Sequence, residues 1–120
     1  MDSLIYLNNG LAIKSKKVYS AKGVVYGKCW GGGYGSYASQ DLQSSSLKGL
    51  MAEAKKGLEK GWLDGGMGFE SLKGALLEIE QIETIIIKDK AYSRSEYTTE
   101  FIGDLTEKEQ DFLQEQLYND

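Results

Sequence analysis

The spacing of apolar residues changes period within this chain, and that change decides the class of fold open to it. Leu47, Leu50, Met51, Ala54 and Leu58 recur at i, i+3, i+4, i+7 and i+11, with Lys48, Lys55, Lys56 and Glu59 on the other faces, so the stretch forms an amphipathic helix. Ser44–Ser46 supplies N-cap oxygens and Gly61 a left-handed end, which places the helix at Ser46–Lys60. The residues before it lack that period. Ser3–Leu7 and Leu11–Lys16 are short apolar or alternating runs around Asn8-Asn9-Gly10, a turn sequence that tolerates positive φ. Val18–Ser20 and Val24–Trp30 flank Ala21-Lys22-Gly23, which reads as a further turn, and the second run extends past Gly31-Gly32-Gly33 toward Tyr34–Ser39.

The helical period returns at Leu72, Ala75, Leu76, Ile79 and Ile82 and predicts a second helix over Phe69–Ile82. Thr84–Lys88 is β-branched and apolar, Asp89-Lys90 can turn, and Ala91–Tyr97 alternates, which together predict a C-terminal hairpin that Thr98–Ile102 extends or bends. Thr106-Glu107-Lys108-Glu109 is a capping box that opens a third helix near Leu105. The expected fold class is α+β: an antiparallel sheet of about four to six short strands, two amphipathic helices inserted before the hairpin, and a terminal third helix. With 120 residues, 41% of them hydrophobic, residues 1–120 are expected to form a single domain.

Composition removes much familiar chemistry. The chain has no histidine, hence neither the commonest general base nor the commonest zinc ligand, and its lone Cys29 allows no intrachain disulfide. No cofactor, metal or catalytic residue is expected. Lys+Arg 14 against Asp+Glu 18 gives a net charge of -4, which argues against general nucleic-acid binding, and Arg94 is the sole arginine. No apolar run reaches transmembrane length, and Met1–Gly10 lacks the basic and apolar regions of a signal peptide, so a cytoplasmic location is expected, with no membrane partner.

The segment Gly27–Tyr37 combines five glycines with Trp30, Tyr34 and Tyr37. Glycines admit close approach to the main chain, and the aromatics offer flat faces and polar edges. The segment reads either as a docking site, with Lys28 as its charge, or as a hairpin loop or bulged strand. Its two near matches to phosphate motifs fail: Gly33-x-Gly35-x-x-Ala38 has no βαβ unit around it, and Gly23–Cys29 is one residue short of a P-loop. A second such loop, Gly61–Ser71, brings Trp62, Asp64 and Phe69 to the start of the expected second helix, where Ser71 and Lys73 would accompany an anion-holding helix end. The plainer reading is an Asp64 turn with Trp62 and Phe69 packed inward. Arg94 stands either to grip a phosphate or carboxylate or to pair with Glu96, and the acids from Glu107 to Asp120 form either a mimic of nucleic-acid charge or a solvated face.

In size, in its short-strand start and in the loops Trp30–Tyr37 and Asp64–Phe69, the chain resembles the small inhibitors and sequestering proteins carried by phages and other mobile elements. The resemblance implies a non-enzymatic counter-defence protein in the host cytoplasm. One form of it sequesters a small nucleotide-derived signalling molecule through Lys28, Trp30, Tyr34, Tyr37, Trp62, Asp64, Phe69, Ser71, Lys73 and Arg94, with a homo-oligomer enclosing the ligand. The alternative blocks a nuclease, as anti-CRISPR and toxin-immunity proteins do, through an acidic surface. A small carboxylate-dependent enzyme is the third reading.

Overall fold

The computed structural model describes residues 2–6, 12–66 and 68–118. The chain runs β1 (Asp2–Tyr6), β2 (Ala12–Cys29), β3 (Tyr34–Ala38), β4 (Leu42–Ser44), α1 (Leu47–Lys60), β5 (Phe69–Ile87), β6 (Lys90–Gly103) and α2 (Glu107–Tyr118). The strands make one antiparallel sheet in the order β1-β2-β5-β6, with β3 and β4 also pairing β2. The α+β class and the antiparallel sheet are as expected. The short strands are not, because β2, β5 and β6 hold 18, 19 and 14 residues.

Two features of the sequence hide the long strands. The expected turn at Ala21-Lys22-Gly23 is the middle of β2, which pairs with β5 without a break from Lys14↔Ile86 to Tyr26↔Gly74. Gly23 is there because a Cβ at that position would collide with the carbonyl oxygen of Leu76 in the neighbouring strand. The expected helix over Phe69–Ile82 is likewise strand, the first part of β5. Its residues 74–77 are all buried, which hides the alternation of a strand and lets a helical period fit the same apolar positions.

That burial on both faces comes from the two helices. Val25, Ala75, Leu77, Ile79 and Ile102 face Leu50 and Ala54 of α1, with Leu63 in the same cluster. Val24 and Leu76 face Leu113 of α2 on the opposite side, with Tyr26, Phe101, Leu105 and Leu117 packed around them. Successive residues of a strand point to opposite faces, so the central strands feed two separate cores. Helix α1 has the expected ends: Ser46 Oγ accepts from the Gly49 N–H, and Gly61 closes the helix with φ 80°. Helix α2 opens on the expected capping box, in which Glu109 N–H donates to Thr106 Oγ1 and Thr106 N–H to Glu109 Oε1. The described residues thus contain two helices where three are expected.

Neither helix reaches the far half of the sheet. There β2, β5 and β6 continue as an arm, turning at Lys88 and Asp89, both with positive φ, one residue before the expected turn. The other expected turn, Asn8-Asn9-Gly10, lies outside the described residues, between β1 and β2 paired in the register Tyr6↔Ala12. The arm makes the molecule long, 63 × 26 × 20 Å. Cross-strand polar pairs cover it: Arg94 meets Glu83 at 2.9 Å and Lys17 meets Glu83 at 3.6 Å on the α1 side, and Thr84 meets Ser93 at 3.3 Å on the α2 side. Arg94 therefore bonds across the sheet to Glu83, and the expected pair with Glu96 is not formed.

Candidate functional site

The turn at residues 30–33 folds β3 back onto β2 in the register Lys28↔Tyr34 to Val24↔Ala38. Cys29 N–H donates to the Gly33 carbonyl at 2.9 Å, and Gly32 N–H donates to the Cys29 carbonyl at 3.0 Å. Gly27–Tyr37 is thus a hairpin, and its aromatics do not turn into the core. Trp30 at the tip is 71% exposed and Tyr34 59%. Tyr37 is also exposed.

Tyr34 belongs to a built cluster on the α2 side. Its ring stacks on Tyr26 with centroids 5.7 Å apart and planes 12° apart, and Phe112 of α2 meets Tyr26 edge-on at 6.0 Å. Lys73 Nζ lies 5.9 Å from the Tyr34 ring centre and 2.8 Å from Glu109. Desolvation against these neighbours, and then the Glu109 charge, push the Tyr26 hydroxyl above its usual pKa. The hydrogen bond from Lys73, joined by that from the Thr106 backbone, holds Glu109 down to about 2. Glu109 in turn raises Lys73. The result is an ion pair set beside packed aromatic rings, of which Tyr34 is the most open to water.

The second glycine loop follows its plainer reading. Trp62 packs on Gly57 of α1, and both Trp62 and Phe69 join the core on the α1 side. Asp64 is 4% exposed, and its Oδ1 accepts from the Gly66 N–H at 2.9 Å, the turn expected of it. Its Oδ2 is buried with no partner among the described residues. Ser71 and Lys73 lie on β5, so the expected anion-holding helix end does not exist. Lys28 meets Glu70 at 3.6 Å across the sheet. Of the candidate ligand residues, Tyr34 and Lys73 meet in the cluster, Lys28 and Trp30 flank it along the hairpin, Trp62, Asp64 and Phe69 serve the core and its loop, and Arg94 lies out on the arm.

A polar cavity of about 770 Å³ opens on the same side, lined by Ser20, Lys22, Asp41, Glu78, Glu80 and Tyr97 among others. A second of about 540 Å³ shares Lys22, Asp41 and Glu78 with it and runs along β3 to Gln116 and Leu117 of α2. Tyr97 donates to Glu80 at 2.6 Å, which lowers the Glu80 pKa. Glu107, Glu109, Asp111 and Glu115 of α2 outnumber its single Lys108. The opposite helix, α1, carries Lys48, Lys55, Lys56 and Lys60 against Glu53 and Glu59. The α2 side is the acidic one.

Sequence reasoning missed Tyr26, Phe112 and Asp41. Only the correct strand period for β2, which would have put Tyr26 on one face with Val24, could have drawn attention to Tyr26. Among the described residues no group of histidine, cysteine and carboxylate side chains is arranged to hold a metal ion, and no helix is long and apolar enough to cross a membrane. Comparison with protein-family models, curated proteins and solved structures finds no match to this chain.

Proposed function

We propose that this chain is a non-enzymatic inhibitor that binds a protein through its α2 side, with Trp30 and Tyr34 as anchors and the surrounding acids opposing a basic surface. The observation that carries this reading is the Tyr26–Tyr34–Phe112 cluster, a stacked and braced aromatic group that leaves more than half of Tyr34 in water. Exposed aromatics held in one arrangement lose little freedom on docking, and Trp and Tyr dominate the energetics of interfaces. The acids on α2 and at Asp41, Glu78 and Glu80 would speed encounter with a positively charged partner and set its orientation. The resemblance to counter-defence inhibitors adds the partner class, a host nuclease with a basic substrate channel, met in the cytoplasm.

Capture of a nucleotide-derived signal would instead use the cavities, where Asp41, Glu78 and Glu80 surround Lys22, a poor match to phosphate. Co-purification from cells with a tagged chain separates the two readings. Wild-type protein is expected to enrich a basic protein that raised salt releases and that the double variant Trp30→Ala/Tyr34→Ala fails to retain. Equal enrichment by wild type and double variant would show that these two residues are not the anchors.

A further inference from the structure

We propose that two copies of this chain join edge to edge through β6, antiparallel and centred on Ser95, to form one continuous sheet. Among the described residues strand β6 ends the sheet, with β5 on one side and no strand pairing the N–H and C=O groups of its other edge. Residues 90–100 are all exposed. Edges that must stay single are usually protected by a bulge, a proline, a short length or charged side chains. This edge has no bulge, no proline and no short length, since its register with β5 runs unshifted from Ile87↔Lys90 to Gly74↔Gly103, so its four charges decide whether and how it pairs.

The charges on the edge select one register. Pairing by register puts Lys90, Tyr92, Arg94, Glu96, Thr98 and Glu100 on the α1 side, and Ala91, Ser93, Ser95, Tyr97 and Thr99 on the other. All four charges therefore share one face. With Ser95 opposite Ser95, Lys90 of one copy lies opposite Glu100 of the other, Arg94 opposite Glu96, and twofold symmetry repeats both pairs. Centring on Arg94 or Glu96 sets like charges against each other. Centring on Ser93 pairs only Lys90 with Glu96, and centring on Tyr97 only Arg94 with Glu100, so each leaves the other two charges without a charged β6 partner across the seam. A register offset by one residue would set outward-facing peptide groups against inward-facing ones. On the opposite face, β6 itself contributes only the uncharged Ala91, Ser93, Ser95, Tyr97 and Thr99 to the seam. Among the described residues neither Lys90 nor Glu100 forms an ion pair within its own chain, so both are available to a second copy.

Sedimentation of the purified protein tests this, first alone and then with charge variants on the fully exposed part of the edge. Wild type is expected to show a reversible monomer–dimer equilibrium below about 100 μM, weakened by salt. Lys90→Glu and Glu100→Lys, each with an unchanged circular dichroism spectrum, are each expected to raise the dimer dissociation constant by about tenfold or more, because each sets two like-charge pairs face to face. Mixing the two variants should restore association as a heterodimer, since the two introduced charges, opposite in sign, then face each other and the native Lys90 faces the native Glu100. A wild-type protein that stays monomeric over that range, a dimer indifferent to Lys90→Glu, or variants that gain nothing on mixing would each overturn the proposal. The anchors Trp30 and Tyr34 take no part in this contact, so its failure leaves the inhibitor reading intact.

Discussion

Glu109 ties α2 to the sheet. It accepts from Thr106 N–H at 2.8 Å to close the helix start and from Lys73 Nζ at 2.8 Å to fix β5 beside it. Its folded pKa of about 2 lies below the usual carboxylate value of about 4.3. A depressed carboxylate contributes stability that is complete above the unfolded pKa and is lost as pH falls toward the folded one. Denaturation midpoints measured across the acid range should therefore fall for wild type between about pH 4.3 and 2, and Glu109→Gln should show a smaller fall over that interval. Glycines give a second residue-scale prediction. A Cβ on Gly74 would meet the Leu105 side chain at 2.5 Å and the Ile102 carbonyl oxygen at 2.7 Å, whereas one on Gly31 meets nothing within 4 Å. Gly74→Ala should cost about 1–3 kcal/mol in chemical denaturation, and Gly31→Ala should change little. The capping box was legible because Thr106 and Glu109 lie within one helical turn. The Lys73 partner was not, since 36 residues separate it from Glu109 and only the folded sheet brings them together.

The elements divide by how many faces they bury. Helix α1 packs on one side, so its apolar stripe, its Ser46 cap and its Gly61 stop were all readable from the sequence. Strand β5 is covered by α1 on one face and α2 on the other, and its run of buried residues imitated a helix. Its partly buried continuation Thr84–Ile87, within the expected Thr84–Lys88, was recognised as strand because its β-branched residues carried the signal there. Each helix closes its own core, so removing one central side chain from either should be costly. Leu50→Ala and Leu113→Ala, both at fully buried positions, should each lose about 2–5 kcal/mol, and Ser46→Ala at the α1 cap about 1 kcal/mol, all read from denaturant midpoints. A near-neutral Leu113→Ala would mean that α2 does not hold its place on the sheet. The aromatic cluster depends on that contact, because Phe112 is the neighbour of Leu113 on the same helix.

At the scale of the whole molecule, length is the unexpected property. A radius of gyration of 17.9 Å exceeds the value of about 14 Å typical of a compact chain of this size. Strands of 18 and 19 residues rise about 60 Å, which accounts for the long axis of 63 Å. No single feature of the sequence announced it, because Gly23 and the apolar run at 74–77 read as punctuation and helix. The same arrangement separates two uses of the surface, an anchored acidic face at the helical end and an open strand edge along the arm. The inhibitor reading meets its plainest test in native mass spectrometry of the chain isolated gently from cells that contain its partner. The expected result is a complex with a basic protein that dissociates on Trp30→Ala/Tyr34→Ala substitution. A chain that retains a small nucleotide-derived molecule instead, unaffected by that substitution, would contradict it.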